Sequence, residues 1–444
     1  MRPQTGGAGR RERPSERRAF LRGAALLGAG ALSGSSRRRA ALAAPAILSR
    51  AEPGRALAVG VMGLGRGRDH VRACLEIPGV SVAYVCDVDR NRLAQALDAV
   101  KKAQEEPCGA VSDFRRILDD KAVDALSIAT CNHWHTPAAV LASKAGKHVY
   151  VEKPGSHNAR EAELIVEAAK KHGRVVQMGN QRRSWPGIIE GIEKLRAGAI
   201  GTVRYARSWY TNRRPSIGRG KEGPPPAHLD WELWQGPAPE RPYVDNLVHY
   251  NWHWHWHWGG GELANNGVHG LDLLRWGLAV DYPKIVSYTG GRYRYDDDQE
   301  TPDTGIACYD FGACGAAWEH TSSHHRKPES LEIAVFYGDA GRLALDGSGY
   351  AVYDLEGKEV GRGSGPSSDR LHFEDFFDAI RTERKPRSDI EDAQKSALLC
   401  HLGNIAYRLG QAIRFDPETR SIAGPEEARR LWGREYRPGW EPVP

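Results

Sequence analysis

The stretch Val59–His70, VGVMGLGRGRDH, runs an apolar segment of strand length straight into glycines 63, 65 and 67. An apolar run, a glycine cluster and then an amphipathic segment have the form of a strand, a tight turn and a helix. Glycine lets the backbone of such a turn approach a diphosphate, and the unpaired N–H groups at the start of the helix bind anionic oxygens. Gly63, Leu64, Gly65, Arg66 and Gly67 are therefore candidates to hold a dinucleotide. The third glycine of G-x-G-x-x-G falls one residue early, and Arg68 stands in its place. A second strand-like run, SVAYVCD, then closes on Asp87, 24 residues beyond Gly63, where a carboxylate accepts ribose hydroxyls. An acid there repels a 2′-phosphate and favours NAD. Arg90 and Arg92, either of which can accommodate that phosphate, keep NADP open, and a glycine turn without a ligand is the plainer alternative.

Working outward, ALAVGVMG, SVAYVCD, DALSIAT, KHVYVEK and RVVQMG are strand-length apolar runs separated by helix-like segments. Such runs predict a parallel sheet covered on both faces, in an α/β dinucleotide-binding domain over residues 55–179. The pattern then changes. TVRYARSWYTN, KIVSYTGGRYRYD, TGIACYDFG, GAAWEHTSS, LEIAVFYG and GRLALDG alternate in the half-buried manner. They predict a second domain, residues 180–444, of α+β type with a large, mostly antiparallel open sheet. KEGPPPAHLDWELWQGPAPERP reads as a long surface loop, and amphipathic helices are expected around Asp369–Arg381 and Asp389–Leu409.

The chain has 444 residues, enough for two or three domains, and a formal charge of +6. Residues 1–50 carry eleven Arg against Glu12 and Glu16, a net of +9, which leaves −3 for the rest. That balance withdraws the support a basic chain would lend to nucleic-acid binding. The basic start, SERRAFLRGAALLGAGAL, has charges, a short apolar run and Ala-x-Ala choices such as Ala41-Leu42-Ala43, as an export signal does. Arg17-Arg18 before Phe20-Leu21 looks like a twin-arginine signal, so an exported, periplasmic location and a passage through the twin-arginine machinery are expected. Ala24–Leu32 is too short to span about 30 Å of hydrocarbon, so no stable membrane span is expected. Seven scattered cysteines show neither Cys-x-x-Cys nor disulfide-like spacing.

Three further motifs stand in order: NHWHTPAA, AGKHVYVEKP and GGGELANNGVHGLDLLRWGL. With the glycine turn they resemble the glucose–fructose oxidoreductase and inositol dehydrogenase family, Gfo/Idh/MocA, specifically from Ala56 to about Pro283 and more loosely beyond. The resemblance implies a Rossmann domain that binds nicotinamide dinucleotide, joined to an open-sheet domain that carries the substrate pocket. It also implies a cis peptide before Pro154, with Lys153 directed toward the nicotinamide. Glu152 and Lys153 stand at the carboxyl end of a parallel strand, where open α/β sheets bind ligands. A lysine there can hydrogen-bond the reacting hydroxyl and stabilise charge on it; a strand-end ion pair is the alternative. The same resemblance sets Thr130, His133 and His135 along the cofactor cleft, although His135 could simply cap the next helix. Arg182 and Arg183 could bind a substrate hydroxyl or carboxylate, or be solvated, and Tyr210 and Tyr250 are candidates for the pocket wall.

In ELANNGVHGLDLLRWGL the apolar residues have helical spacing, which would set Asn265, His269 and Asp272 on one face. His269 suits a general base, with Asp272 orienting it or compensating its charge. The inositol dehydrogenase pattern has Asp where this chain has Asn265. The run Tyr250–Glu262, YNWHWHWHWGGGE, alternates with period two, so His253, His255 and His257 would share one face of an extended segment. Three imidazoles could hold a metal, but the run has neither carboxylate nor cysteine before Glu262, and hydride transfer to nicotinamide needs no metal. Substrate contact is the expected role of the three histidines, and no metal is expected.

The function expected is oxidation or reduction of a secondary hydroxyl or ketone on a sugar or cyclic polyol, with NAD held tightly enough to be exported bound. An NAD-dependent glycosidase or lyase and a non-catalytic NAD-binding partner are the alternatives. Self-association through the open sheet is expected.

Overall fold

The computed structural model describes residues 55–324 and 332–444. The twin-arginine segment, residues 1–50, lies outside the described residues. Six parallel strands form the first sheet: β1 (Leu57–Met62), β2 (Val80–Cys86), β3 (Gly109–Val111), β4 (Ala125–Ile128), β5 (His148–Val151) and β6 (Val176–Met178). Their order is β3-β2-β1-β4-β5-β6, so the chain reverses its direction of travel between β1 and β4. Ligands of such sheets bind at the carboxyl ends of the strands flanking that switch point. Val59, Val61, Val82, Val85 and Ala125 are fully buried, which is why these segments read as continuous apolar runs.

Ten strands form the second sheet: β7 (Val203–Thr211), β8 (Ile285–Gly291), β9 (Thr304–Asp310), β10 (Gly315–Thr321), β11 (Ala334–Gly338), β12 (Gly341–Leu345), β13 (Gly349–Tyr353), β14 (Glu359–Ser364), β15 (Ile413–Asp416) and β16 (Ser421–Ala423). The order is β14-β13-β12-β11-β7-β10-β9-β8-β15-β16, antiparallel except where β7 runs parallel to β10. Burial alternates along β9, where Ala307 and Tyr309 face the core while Ile306 and Cys308 are exposed. One face is packed and the other open.

On the packed face the helix Val268–Leu278 lies close to the strands because two glycines face them. A Cβ on Gly270 would come within 2.1 Å of Ser208 Oγ, and one on Gly277 within 2.3 Å of Phe336. That approach carries His269, immediately before the first of these glycines, to the rim of the first sheet. The helix Asp369–Thr382 packs instead beside the parallel sheet: Phe373 stacks on Tyr150 of β5 at 4.1 Å, with Phe376 and Phe377 in the same core. No helix among the described residues is long and apolar enough to cross a membrane.

The proline-rich segment expected as a surface loop is largely exposed over its first part, residues 221–228, and packed over residues 229–238. It contains the helix Trp231–Gln235 and buries Leu229, Trp234 and Ala238 in a cluster with Trp252 and Trp258. The density of Trp outweighs the prolines, because each indole buries a large apolar area.

Candidate active site

A cleft of about 540 Å³ opens at the carboxyl ends of β1, β2, β4 and β5 and reaches the helix that carries His269. Its floor is the glycine turn. Gly63 has φ of +85°, and a Cβ there would lie 2.7 Å from the Ala129 carbonyl oxygen, so only glycine fits. Gly65 and Arg66 line the cleft, whereas Leu64 points into the core and Gly67 packs against Val61. Leu64 contributes through its backbone, whose N–H donates to Asp87 Oδ2 at 2.6 Å. The other Asp87 oxygen accepts from Asp89 N at 2.8 Å. Burial pushes the Asp87 carboxyl up, and these two N–H donors together with Arg92 oppose the rise. The Arg92 guanidinium lies over the turn, 3.0 Å from where a Gly65 Cβ would stand.

At the far end β5 delivers Glu152 and Lys153, and the Lys153–Pro154 peptide is cis. Glu152 is 5% exposed and accepts from Arg66 Nε at 3.1 Å, Gln181 Nε2 at 3.2 Å and the Lys153 backbone N–H at 3.0 Å, with His70 Nε2 at 3.1 Å. Burial alone would raise its pKa, but His70, Arg66 and Lys153 hold it well below the usual carboxylate range. Arg66 also pairs with Asp69 and Asp369, so it ties the glycine turn to the end of β5 through Glu152 and to the start of the helix Asp369–Thr382 through Asp369.

Lys153 Nζ donates to the backbone carbonyl of Asn265 at 2.6 Å and to Asn265 Oδ1 at 3.0 Å. Burial lowers its pKa, and Glu152 and Glu262 limit the fall. Asn265 lies in a π-helical turn, Leu263–Gly267, that precedes the α-helix Val268–Leu278. Such a turn rotates side chains out of α-helical register and is frequent at functional sites. Asn265 and His269 both line the cleft. Asp272 does not join them. It is 2% exposed and accepts from Arg183 Nε and Nη2, both at 2.8 Å, and from Ser396 Oγ at 2.7 Å. Its expected role beside His269 is therefore corrected: a bidentate buried pair with Arg183 uses both oxygens. The pairing of residue 265 is corrected as well, because its amide serves Lys153 rather than His269.

His269 stays neutral. Burial lowers its pKa far below the ordinary value, and the fields of Lys153 and Arg182 lower it further. Arg182 stacks on Trp185, with its guanidinium carbon 5.2 Å from the ring, and its buried Nε has no hydrogen-bond partner among the described residues; it does not line the cleft, so its expected contact with substrate is corrected.

The remaining expectations divide. Thr130 and His135 line the cleft; His135 Nε2 donates to the Thr130 carbonyl at 3.0 Å, and burial holds its pKa down to about 4. His133 is corrected: it is fully buried behind the cleft, donating to the Trp234 carbonyl at 3.0 Å between Trp234 and Trp258. The alternating run is not extended. Asn251–Trp254 forms a 3-10 helix followed by turns, so successive side chains rotate by about a third of a turn rather than half, and the histidines diverge. His253 alone reaches the cleft, stacked on Trp252 at 3.6 Å. Its Nδ1 donates to the Tyr250 carbonyl at 2.6 Å, which leaves Nε2 as an acceptor, and burial pushes its pKa to about 3. His255 Nδ1 lies 3.7 Å from Glu300, and His257 donates to the Pro239 carbonyl at 2.9 Å. Their expected contact with substrate is therefore corrected.

Tyr250 lines the cleft and Tyr210 stands next to it; both hydroxyls accept from Arg214, at 2.9 and 3.0 Å. Sequence reasoning missed Arg214. It pairs with buried Glu262 at 2.9 Å and stacks over Trp254 at 4.8 Å. The available signal was Glu262, a charge standing between three glycines and a buried helix.

The residues fit a nicotinamide dinucleotide. The glycine turn and the start of the helix Gly67–Leu75 would hold the diphosphate, Asp87 a ribose, and Thr130, His135 and Lys153 the nicotinamide end.

Comparison with known proteins agrees with this geometry. A model described as an oxidoreductase family with an NAD-binding Rossmann fold matches residues 57–180, and the family's C-terminal alpha/beta domain matches residues 217–298 and 364–442. Inositol 2-dehydrogenase of Salmonella paratyphi B is 33% identical over 148 residues, 33% of this chain and 43% of that protein. A glycosyl hydrolase family 109 protein of Saccharopolyspora erythraea is 34% identical over 215 residues, 45% of this chain and 46% of that protein. The chain spans about half the length of the curated relatives it matches. Among solved structures, an aldose–aldose oxidoreductase from Caulobacter crescentus complexed with glycerol superposes with a TM-score of 0.62 at 21% identity, covering 81% of this chain and all of that one. With both halves of the family pattern matched, over more than half of its length, the chain belongs to the Gfo/Idh/MocA family of NAD-binding oxidoreductases.

Proposed function

We propose that the protein oxidises a secondary hydroxyl of a sugar or cyclic polyol, or reduces the corresponding ketone, with NAD. The observation that carries this reading is Lys153 Nζ, held by Asn265 beside His269 at the end of the cleft remote from Asp87. NAD, when bound, supplies the hydride acceptor. Proton handling falls to the chain's own groups. A neutral His269 accepts a hydrogen bond from the reacting hydroxyl and orients it; Asp272 is engaged by Arg183, and the field of Glu152 is outweighed at His269 by burial and the cations of Lys153 and Arg182, so His269 gains no proton. Lys153, whose pKa is lowered and which has carboxylates nearby, is the better proton acceptor. Its ammonium form returns the proton in the reverse direction. His253 Nε2 and the Tyr250 hydroxyl suit the hydroxyl edge of a sugar, and Trp252 and Trp254 its C–H faces. The similarity to an inositol dehydrogenase supports a polyol.

The twin-arginine-like start supports export of the folded protein with NAD already bound, and the open sheet face with Tyr205, Ile306 and Tyr337 supports self-association. Mass spectrometry of the purified protein tests retention: NAD released on denaturation is expected, and a nucleotide-free protein would oppose it. Absorbance at about 340 nm across a panel of polyols and sugars tests the reaction. A second reading, glycoside cleavage without net redox change, is favoured by the similarity to the family 109 protein. Aglycone release with no accumulation of NADH would select it.

A further inference from the structure

A second cavity, of about 330 Å³, lies apart from the cofactor cleft and shares no lining residue with it. It is walled by the start of the helix Ala159–His172, the later turns of the helix Ile390–Leu409, residues 256–260 and residues 430–435. Four arginines line it: Arg241, Arg408, Arg430 and Arg434. None of the four forms an ion pair among the described residues: Arg241, Arg408 and Arg430 are exposed and Arg434 is half-buried, whereas the buried guanidinium groups of Arg183 and Arg275 and the half-buried one of Arg214 each take a carboxylate. The carboxylate behind Arg434 is Glu161, and its oxygens already accept from the Tyr436 hydroxyl at 2.9 Å and the His157 backbone N–H at 2.8 Å. Glu435 lines the rim and is exposed.

Among the described residues, three buried polar atoms on these walls make no hydrogen bond: Arg434 Nη2, Asn158 Nδ2 and His157 Nε2. All three are donors. Asn158, 7% exposed, uses its Oδ1 to accept from Glu161 N at 3.0 Å, so its amide orientation is set and Nδ2 lies toward the Glu161 carboxylate and the Tyr436 hydroxyl without a well-formed hydrogen bond. His157 Nδ1 faces Arg434 Nη1 at 3.4 Å and must accept, so the proton sits on Nε2. A buried donor without a well-formed hydrogen bond is costly, and several around one space call for an acceptor-rich occupant. A cation is disfavoured here. His401 Nε2 is bonded to Ser156 at 2.8 Å and His257 Nε2 to the Pro239 carbonyl at 2.9 Å, so these imidazoles have no free lone pair at that nitrogen to offer a metal. Trp256 adds an aromatic wall, with Arg408 lying 5.4 Å over its ring.

We propose that this cavity is a second ligand site that binds the carboxylate or phosphate of a small organic anion, a sugar acid or a sugar phosphate. The guanidinium groups of Arg434 and the rim arginines, with Asn158 and His157, take the anionic oxygens, and Trp256 covers the carbon skeleton. The alternating run thus splits between two cavities, with His253 at the cofactor cleft and Trp256 and His257 at this one.

The test is calorimetric titration of the full chain saturated with NAD, which keeps phosphate out of the cofactor cleft. Inorganic phosphate, glucose 6-phosphate, glucuronate and uncharged glucose are compared at constant ionic strength. Saturable binding of at least one anion is expected, with none for glucose. Arg434→Met is expected to weaken it about tenfold or more, with NAD affinity unchanged. Should that variant fail to fold, an Arg241→Gln/Arg408→Gln double variant at the rim decides. Preference between the phosphates and glucuronate identifies which anion is recognised. No saturable binding of any anion, or binding that withstands both variants, overturns the proposal.

Discussion

Asn265→Asp is the most informative single change in the cleft. Residue 265 lies 3.0 Å from Lys153 Nζ through its Oδ1, and the substitution replaces an amide oxygen with a carboxylate of the same shape. Coulomb's law for unit charges at that distance gives about 5–6 kcal/mol at an effective dielectric of about 20. The amide dipole already there and the cost of burying the new charge offset much of it. About one to three pKa units of upward shift for Lys153 remain, or about 1.4–4 kcal/mol. The sign follows from the proposed role. Oxidation needs neutral Lys153, so its rate rises with pH and levels off above the lysine pKa, which burial sets below the ordinary lysine value. Raising that pKa moves the rising limb to higher pH, and each unit costs about tenfold in oxidation rate on the limb. Reduction, which uses the ammonium, then persists to higher pH. The assay is kcat/KM for NADH formation and for NADH consumption, each measured against pH in wild type and variant, with NAD affinity as the check on folding. Profiles that coincide, or an oxidation limb displaced to lower pH, would refute the assignment of Lys153 as the titrating group.

Three further expectations concern neighbouring groups. Asp87→Ser should weaken NAD about tenfold to a hundredfold by removing an acceptor worth about 1.5–3 kcal/mol. It should weaken NADP less, because Arg92 stands within reach of a 2′-phosphate; equal losses on titration of both would count against Asp87 as the ribose acceptor. Asp272→Asn opens the buried pair with Arg183 and should cost about 3 kcal/mol or more of unfolding free energy in denaturant titrations. It should leave the pH–rate profile in place, and a shifted profile would return Asp272 to the proton-handling group. His253→Phe keeps the stack on Trp252 but removes the Nε2 acceptor, so the substrate KM should rise about tenfold with NAD affinity unchanged; an unaltered KM would remove His253 from the substrate wall.

The parallel sheet was legible because its strands are buried on both faces and stand out as unbroken apolar runs. β3 was not, since a three-residue strand, Gly109–Val111, carries too little pattern to register. The glycine turn and Asp87 were readable for a chemical reason: few residue types tolerate that backbone or that contact. The histidine run misled because alternation in sequence sets faces only if the segment is extended, and packing of Trp252, Trp254 and Trp258 folds it into turns instead. Asp272 was misread for a related reason. Helical spacing places it near His269, but the sequence gives no sign that Arg183, 89 residues away, claims its oxygens. The π turn that swings Asn265 toward Lys153 likewise leaves no compositional mark.

In the proposed reaction Lys153 handles the proton of a sugar or polyol hydroxyl while NAD is bound alongside. That role is tested most directly by Lys153→Met, measured for NADH formation at about 340 nm and for NAD affinity in the same preparation. A loss of turnover of about 10²- to 10⁴-fold with NAD affinity preserved is expected. Turnover equal to wild type, or a loss that tracks weaker NAD binding, would take Lys153 out of the proton transfer.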